Sequence, residues 1–229
     1  MALYLHLMDN NIDFEAVFVD HGGDWPETYE YVDKFVSKYP LTILKPKRKT
    51  KFNDGSEIVD SIVKFCELKK MMPSRVARWC TSDFKRAVLN AYQETPCFVM
   101  IGFDWGERHR AKIYTNRGRE FRYPLIEDEI DRNGCIEIIK KHGLKIPPKS
   151  GCYICPFQRV GQLRLLRRKH PELFCKLERL ENNNNAERAA RGLKPYYSFK
   201  KPVRDVAEKG IEQTELWPDD EFPPCECGL

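Results

Sequence analysis

Three groups of cysteines, far apart in the sequence, have the residue types and spacing for metal or sulfur chemistry. The first contains Cys80, the second is the Cys-x-x-Cys pair of Cys152 and Cys155, and the third is the terminal pair of Cys225 and Cys227. A Cys-x-x-Cys pair can place two sulfur atoms on one metal ion or cluster, and a third group can complete the coordination shell. A thiol near a chain terminus can instead act as a mobile nucleophile. The cysteines therefore predict metal binding, nucleophilic chemistry, or both.

The composition is that of an ordinary soluble globular protein. The chain has 229 residues, of which 41% are hydrophobic and 32% are charged, enough for one buried α/β core. No apolar run approaches the roughly 20 residues of a membrane-spanning helix, and the first residues do not form a signal peptide. Because no export signal is seen, the nine cysteines favour cytoplasmic thiols over a disulfide framework. We expect a cytoplasmic protein that contacts no membrane.

The net charge of +5 fits anionic small molecules and permits nucleic acid as a partner without requiring it. The densest basic run extends from Lys45 to Lys51. Its simplest interpretation is a solvated loop broken by Pro46, and the alternative is a loop that contacts phosphate or RNA.

Short apolar strands alternate with helical patterns over the first half of the chain. The pattern predicts strands at 14–19, 41–44 and 97–101, and helices at 26–38, 56–68 (with Ser56 as its cap) and 82–92. This alternation favours a doubly wound, mostly parallel sheet covered by helices. Ligands of such sheets bind at the carboxyl ends of the strands, where the turn 20–24 and the segment 102–110 would lie.

The second half of the chain is predicted to be mostly helical, with helices at 131–142, 161–169, 171–191 and 203–215. We therefore predict a nucleotide-binding α/β domain over 1–124 and a helical region over 125–229 that carries the Cys-x-x-Cys site and the cysteine-rich tail. The four asparagines at 182–185 are interpreted as a loop or a helix surface. The remaining cysteines fall on apolar faces and are predicted to fill core space; they are Cys66, Cys97, Cys135 and Cys175.

Five segments, in the family's order, resemble motifs of the phosphoadenosine phosphosulfate (PAPS) reductase family. This family lies within the adenine nucleotide alpha-hydrolases of ATP-pyrophosphatase (PP-loop) type. The segments are the strand, turn and Pro-Glu-Thr helix start at 14–32, Arg-Trp-Cys-Thr at 78–81 with Lys85, Gly-Phe-Asp-Trp-Gly-Glu-Arg-His-Arg at 102–110, Gly-Cys-Tyr-Ile-Cys-Pro-Phe at 151–157 and Glu-Cys-Gly-Leu at 226–229. The resemblance implies the family's Rossmann-like α/β fold with a helical carboxyl-terminal extension.

The resemblance also implies an adenine nucleotide over the strand ends, either PAPS or its relative APS, or ATP with magnesium. The substrate-binding residues that it implies are Asp20, Gly22, Gly23, Lys85, Glu107, Arg108 and Arg110. Guanidinium and ammonium groups suit phosphate and sulfate, although each cation taken alone could equally face solvent. His21 and His109 could serve in acid–base work, although a lone histidine is more often structural.

Cys227 is the catalytic nucleophile that the resemblance implies. Its thiolate would attack the sulfur of the sulfonucleotide, and a thioredoxin-like thiol donor would then release sulfite by exchange. The alternative is that Cys225 and Cys227 are metal ligands or part of a frayed tail.

The resemblance implies an iron–sulfur cluster (4Fe-4S) held by Cys80, Cys152, Cys155 and a fourth cysteine. Trp79 stands where a paired cysteine often occurs, so Cys225 or Cys227 would supply the fourth ligand, and we assign Cys225. Zinc would accept the same thiolates, and a purely structural, empty pair is the third interpretation.

The sequence departs from the family pattern in three places. The Ser-Gly-Gly-x-Asp-Ser phosphate loop, expected immediately before Met1, is absent, the tail stops at Leu229 without the family's histidine, and Asp104 replaces an expected arginine. We expect either that the chain begins at an internal methionine or that its phosphate site has been lost.

Three functions follow from these observations. The first is a PAPS reductase-like enzyme that acts on an adenylylated sulfur compound by thiol chemistry. The second is an ATP-dependent adenylating or thiolating enzyme that acts on nucleic acid. The third is a non-catalytic remnant stabilised by metal, left after loss of the phosphate loop.

Overall fold

A computed structural model describes residues 1–52, 55–112, 115–147 and 151–208. The helices are α1 (Ala2–Asp9), α2 (Pro26–Val36), α3 (Ile62–Lys69), α4 (Trp79–Thr81), α5 (Ala87–Tyr92), α6 (Pro124–Glu127), α7 (Arg132–Lys141), α8 (Val160–Lys169), α9 (Pro171–Ala190) and α10 (Val203–Glu208), with a π-helical turn (Ser82–Arg86) and a 3₁₀ helix (Trp105–Arg110). The strands are β1 (Val17–Val19), β2 (Thr42–Leu44), β3 (Arg48–Phe52), β4 (Gly55–Val59), β5 (Cys97–Met100), β6 (Thr115–Asn116) and β7 (Arg119–Arg122). Within the described residues, none of the helices has both the length and the apolar character to cross a membrane.

The strands form three small sheets. β1 pairs in parallel with β2, and β5 pairs in parallel with β7, which also pairs antiparallel with β6. β3 and β4 form a separate antiparallel hairpin. Parallel strand pairs connected through helices confirm an α/β fold. The single doubly wound sheet expected from the sequence is not formed among the described strands, because β1 and β5 do not pair with each other.

The hairpin corrects two predictions. Part of the basic run 45–51, predicted as a loop, lies in strand β3, and the predicted helix 56–68 begins instead as strand β4. Helix α3 starts only after Ser61, whose Oγ accepts hydrogen bonds from the backbone N–H groups of Val63 and Lys64 at 3.2 and 3.5 Å. Ser61, rather than Ser56, is therefore the helix cap.

Two hydrophobic clusters form the core. The larger one joins α3, α8, α9 and α10 to the Cys-x-x-Cys turn and contains, among others, Phe65, Phe84, Ile154, Leu163 and Leu177. The smaller one joins α1 to α6 and α7 and contains Ala2, Leu5, Leu125, Cys135 and Ile139. Both clusters draw residues from 1–124 and from the region that follows it.

Helix α9 holds three other segments through polar side chains on its inner face. Asn184 Oδ1 accepts a hydrogen bond from the backbone N–H of Met72 at 3.3 Å, and Asn185 Oδ1 accepts one from the backbone N–H of Tyr196 at 2.8 Å. Glu181 Oε2 accepts one from the backbone N–H of Val203 at 2.9 Å. The four-asparagine run is therefore helical, and Asn184 is buried rather than at the surface as predicted.

Candidate functional site

The turn 20–24, at the carboxyl end of β1, is held in one conformation by a small hydrogen-bond network. The hydroxyl of Tyr29 donates to Asp20 Oδ1 at 3.0 Å and accepts from the backbone N–H of Asp24 at 3.3 Å. The backbone N–H of Gly22 also donates to Asp20 Oδ1 at 3.0 Å. Burial, together with the carboxylates of Asp20 and Asp24, raises the pKa of Tyr29, so this hydroxyl keeps its proton.

Gly22 is required at this turn for two reasons. Its φ of +69° lies in the left-handed region that favours glycine. A Cβ at this position would also lie only 2.6 Å from Ser61 Oγ. The start of helix α3 therefore packs directly against the turn.

The same turn contacts the Cys-x-x-Cys segment. The backbone N–H of Tyr153 donates to the carbonyl oxygen of Gly23 at 2.9 Å, and Asp24 forms an isolated antiparallel bridge with Cys152. The side-chain amide of Gln158 donates to the carbonyl oxygen of Cys152 at 2.9 Å and so fixes the thiol-bearing backbone. The structure thus joins two segments that the sequence analysis treated as separate motifs.

Cys80, Cys152 and Cys155 lie close enough to influence one another's ionisation. A hydrogen bond with Cys155, reinforced by burial, raises the pKa of Cys152 well above its ordinary value. Burial, together with the charge of Cys155, raises the pKa of Cys80. Burial, with a contribution from Cys80, also raises the pKa of Cys66. The thiols of Cys66, Cys80 and Cys152 are therefore protonated near neutral pH unless a cation binds beside them.

A metal centre is not shown in the part of the chain that the structure describes. No group of three or more histidine, cysteine, aspartate or glutamate side chains there is arranged to hold a metal ion. Cys225 and Cys227 lie outside the described residues. The ligand set of Cys80, Cys152, Cys155 and Cys225 therefore remains a prediction.

Lys85 supplies positive charge near the thiols of Cys80 and Cys152. It lies in the π-helical turn, whose anchor Phe84 is fully buried. The Lys85 charge counteracts part of the rise in pKa of both Cys80 and Cys152. Single π-helical turns inside helices occur frequently at functional sites. Lys85 is thus a cation positioned beside both the thiols and the turn 20–24.

His21 is a buried imidazole at the centre of the turn. It is 2% exposed, and its Nε2 lies 3.5 Å from Asp24 Oδ1. Burial lowers the pKa of His21, and Asp24 opposes this effect. Its Nδ1 has no hydrogen-bond partner among the described residues. The neutral form of the His21 imidazole is therefore suited to hold the turn.

The segment 102–110 forms a 3₁₀ helix whose charged residues contact one another and nearby rings. Asp104 caps this helix, with its Oδ1 accepting from the backbone N–H of Glu107 at 3.2 Å. Arg110 pairs with Glu107 and lies 4.2 Å above the ring of Phe103. The aspartate that replaces the expected arginine thus has a structural role here.

Arg108 lies 4.8 Å above the ring of Trp105 and donates to its carbonyl oxygen at 3.0 Å. The substrate-binding roles of Glu107, Arg108 and Arg110 remain predictions.

Two residues of the site were missed by sequence reasoning. Asp24 closes the turn and faces both His21 and Cys152, and Tyr29 connects Asp20 to Asp24. Tyr29 lies in helix α2, outside the turn 20–24 where the sequence predicts a ligand to bind. The signal that could have identified Asp24 is its position in a Gly-Gly turn, four residues after Asp20.

The comparison with protein families finds one match, in the first part of the chain. Residues 1–98 match the family model of the phosphoadenosine phosphosulfate reductase domain. This confirms the resemblance drawn from the sequence. The matched segment of the PAPS reductase domain includes the turn 20–24, Cys80 and Lys85, and it ends before the Cys-x-x-Cys pair.

One curated relative is an uncharacterized protein of Methanocaldococcus jannaschii. It is 24% identical to this chain over 182 residues, which cover 72% of this chain and 40% of the relative. The chain thus spans well under half the length of this relative. No solved structure matches the chain.

Proposed function

We propose that the chain binds an adenine nucleotide beside the turn 20–24 and Lys85 and acts on it as a PAPS reductase-like enzyme. The single observation that supports this most directly is the contact between the turn of the PAPS reductase domain and the Cys-x-x-Cys segment. That contact brings the turn 20–24 and the thiols to the same place, which supports the proposal because a reaction on the sulfur of a nucleotide would require both.

The charges around the turn fit a nucleotide that carries phosphate and sulfate. The charge of Lys85 influences the pKa of Cys80, Cys152 and His21, and Lys45 Nζ lies 3.8 Å from Asp20 Oδ2. Two ammonium groups near one turn suit an anionic ligand through charge-assisted hydrogen bonds. Asp20 would then neighbour the ribose or adenine.

The thiol chemistry is assigned to Cys227, since burial and neighbouring thiols make Cys80 and Cys152 weak nucleophiles. The Cys227 thiolate attacks the sulfur of the sulfonucleotide, a sulfur–sulfur bond forms, and the bond from sulfur to the phosphate oxygen breaks. The adenosine phosphate leaves with the electron pair of that bond. One thiolate of a thioredoxin-class dithiol then attacks the Cys227 sulfur, which forms a mixed disulfide and releases sulfite. The donor's second thiol attacks its own sulfur in that mixed disulfide, which returns the Cys227 thiolate and leaves the donor oxidised to a disulfide.

Calorimetric titration with APS, PAPS and ATP tests the nucleotide site. We expect Lys85→Met to weaken binding of the preferred nucleotide by about tenfold or more, as expected for loss of one charge-assisted contact. Arg86→Met, a neutralisation of the adjacent and exposed residue, should leave the affinity within about twofold. Equal affinities for both variants and the unaltered chain would remove Lys85 from the site.

Sulfite release, measured with APS or PAPS and a thioredoxin system, tests the reaction. Cys227→Ser should abolish sulfite release and leave nucleotide affinity unchanged. Sulfite release that persists in this variant would exclude Cys227 as the nucleophile.

An ATP-dependent adenylating or thiolating enzyme that acts on nucleic acid is the second candidate. The observation that favours it is the series of exposed lysines on and before β3, at Lys45, Lys47, Lys49 and Lys51. Alternate exposed cations along a strand suit a phosphate backbone. This candidate predicts pyrophosphate release from ATP that continues in Cys227→Ser, and RNA binding that weakens steeply with salt.

A further inference from the structure

The π-helical turn that carries Lys85 is held from one side by the hairpin of β3 and β4. Arg48, in β3, forms an ion pair with Asp83, in the turn, and the two side chains are 34% and 33% exposed. The other carboxylate oxygen of Asp83, Oδ1, accepts a hydrogen bond from the hydroxyl of Ser82 at 2.7 Å. Both oxygens of Asp83 therefore have partners, and the ion pair connects two elements that are distant in the sequence.

The guanidinium of Arg48 also lies over two buried aromatic rings. Its central carbon is 4.5 Å from the centroid of the Phe65 ring and 5.7 Å from that of Phe84. Phe65, Phe84 and the partly buried Trp79 contact one another, with ring centroids 5.0 to 6.1 Å apart. A planar guanidinium that stacks on rings and pairs with a carboxylate has little freedom left. Arg48 therefore fixes Asp83 against this cluster of rings.

The alternation of side chains along β3 explains why Arg48 points inward. Successive side chains of a strand lie on opposite faces. Lys49 and Lys51 are exposed, whereas Arg48 is partly buried and Thr50 is buried. Val59, which is opposite Arg48 in β4, is also buried. The hairpin therefore presents one face to solvent, and the face that carries Arg48 packs on α3 and the π-helical turn.

Lys85 lies on the other side of the same turn. Residues two positions apart in a helix do not share a face, so a turn that is fixed through Asp83 directs Lys85 away from the hairpin. The charge of Lys85 counteracts part of the rise in pKa of Cys80 and Cys152. The same charge contributes to the lowered pKa of His21. The Lys85 ammonium is therefore on the side of the turn that faces these three groups.

We propose that Arg48 is a positioning residue, which pairs with Asp83, stacks on the ring cluster and so holds Lys85 where it contacts the anionic groups of the nucleotide. This inference rests on the proposed function, which assigns Lys85 to the nucleotide. Arg48 acts through Lys85 rather than by a contact of its own. Because an ion pair that is one-third exposed contributes little to stability, the effect of Arg48 is expected in nucleotide affinity more than in the free energy of unfolding.

Calorimetric titration of the full chain with APS, PAPS and ATP tests this role. We expect Arg48→Met to weaken binding of the preferred nucleotide by about fivefold or more, because a displaced Lys85 loses part of its charge-assisted contact. In a chain that already carries Lys85→Met, the same substitution should change the affinity by less than about twofold, because residues that act through one contact are not additive. Lys64→Met is the matched control. It breaks the ion pair with Glu57 that joins the same hairpin to α3, and it should leave the affinity within about twofold.

Amide hydrogen exchange provides a readout that needs no nucleotide. Arg48→Met should speed exchange at the amides of Phe84, Lys85 and Arg86 by about tenfold or more and leave exchange in helix α7 unchanged, because only the π-helical turn loses its support. A general loss of stability would instead speed exchange in both places. If the unaltered chain binds none of the three nucleotides, the proposed function fails, and exchange at these three amides still decides whether Arg48 holds the turn.

Three results overturn the proposal. The first is an unchanged nucleotide affinity in Arg48→Met, or unchanged exchange at the three amides where no nucleotide binds. The second is equal weakening by Arg48→Met with and without Lys85, since Arg48 would then not act through Lys85. The third is equal weakening by Lys64→Met. If Arg48→Met does not fold, Asp83→Asn removes the charged partner in the turn and leaves Arg48 over the rings. That variant should also weaken binding, and an unchanged affinity would equally overturn the proposal.

Discussion

The backbone N–H of Tyr153 donates a 2.9 Å hydrogen bond to the carbonyl oxygen of Gly23. This contact joins the turn at the end of β1 to the Cys-x-x-Cys segment, and the Cβ of Cys152 packs beside Gly23. The position of the thiols relative to the turn 20–24 therefore depends on the small size of residue 23.

Gly23→Ala should separate these two segments. The added Cβ would lie 2.9 Å from Ile62 Cγ2 and 3.5 Å from Cys152 Cβ, so one of these neighbours must move. We expect the free energy of unfolding to fall by about 1–3 kcal/mol, the usual cost of overpacking a filled site. Urea denaturation at neutral pH measures this change.

Gly161→Ala is the matched control, because the same methyl group enters open space within helix α8. Alanine there should raise the free energy of unfolding by about 0.5–1 kcal/mol through its higher helix propensity. If both alanines changed stability in the same direction, the packing argument at Gly23 would fail.

Thiol reactivity should follow burial rather than position in a motif. Cys175 is exposed, whereas Cys66 is buried and its pKa is raised by that burial. Because the thiolate is the reactive form, we expect iodoacetamide at pH 8 to label Cys175 much faster than Cys66 or Cys152 in the folded protein. Peptide mass spectrometry measures the rates, and labelling in urea should remove the differences. Faster labelling of Cys152 than of Cys175 would show that Cys152 is an activated thiol.

Elements with a strong local signal were predicted well from the sequence. The predicted strands 41–44 and 97–101 correspond to β2 and β5, and the predicted helices 26–38 and 131–142 correspond to α2 and α7 within a few residues. Each of these four segments follows a single apolar periodicity, that of a strand or that of a helix, and has a clear boundary. Pro26, for example, occupies the first position of α2, where its fixed φ suits a helix start.

Features that depend on distant partners were not predicted. The stretch 56–59 resembles a helix start by its serine, but it forms β4 because β3 offers it a complete antiparallel partner. Likewise, Cys175 was assigned to the core from its apolar neighbours, yet it lies on the exposed side of α9. The role of Asp24 depends on Cys152, which is far from it in the sequence. Local periodicity contains no information on such pairings.

The asparagine run offers a test of one such distant contact. Asn184 is 5% exposed, and its Oδ1 accepts the hydrogen bond from the backbone N–H of Met72. Asn184→Ala should lower the free energy of unfolding by about 1–3 kcal/mol, because it leaves a buried N–H without an acceptor. Asn183→Ala, at an exposed position of the same helix, should be neutral or slightly stabilising. Equal effects of the two substitutions in urea denaturation would contradict the assigned contact.

Glu181 gives the fold a pH dependence of its own. The residue is 3% exposed. Burial raises the pKa of Glu181 from 4.5 to about 7, and the charges of Glu178 and Asp205 contribute to this rise. The hydrogen bond from the backbone N–H of Val203 acts in the opposite direction. The folded state therefore binds this proton more tightly than the unfolded state does. Stability from this group is fully present below about pH 4.5 and is lost as the pH rises through about 7.

Glu181→Gln removes this titration and keeps an oxygen that can accept the hydrogen bond from the backbone N–H of Val203. Relative to the unaltered chain, we expect the variant to gain roughly 1–2 kcal/mol in the free energy of unfolding at pH 8 and little at pH 5, since only the ionised carboxylate is penalised by burial. Urea denaturation at the two pH values measures the difference. Glu172→Gln, at an exposed carboxylate in the first turn of α9, is the control and should show no such pH-dependent gain. A gain for Glu181→Gln that is the same at pH 5 and pH 8 would mean that Glu181 is already ionised in the folded protein at pH 5.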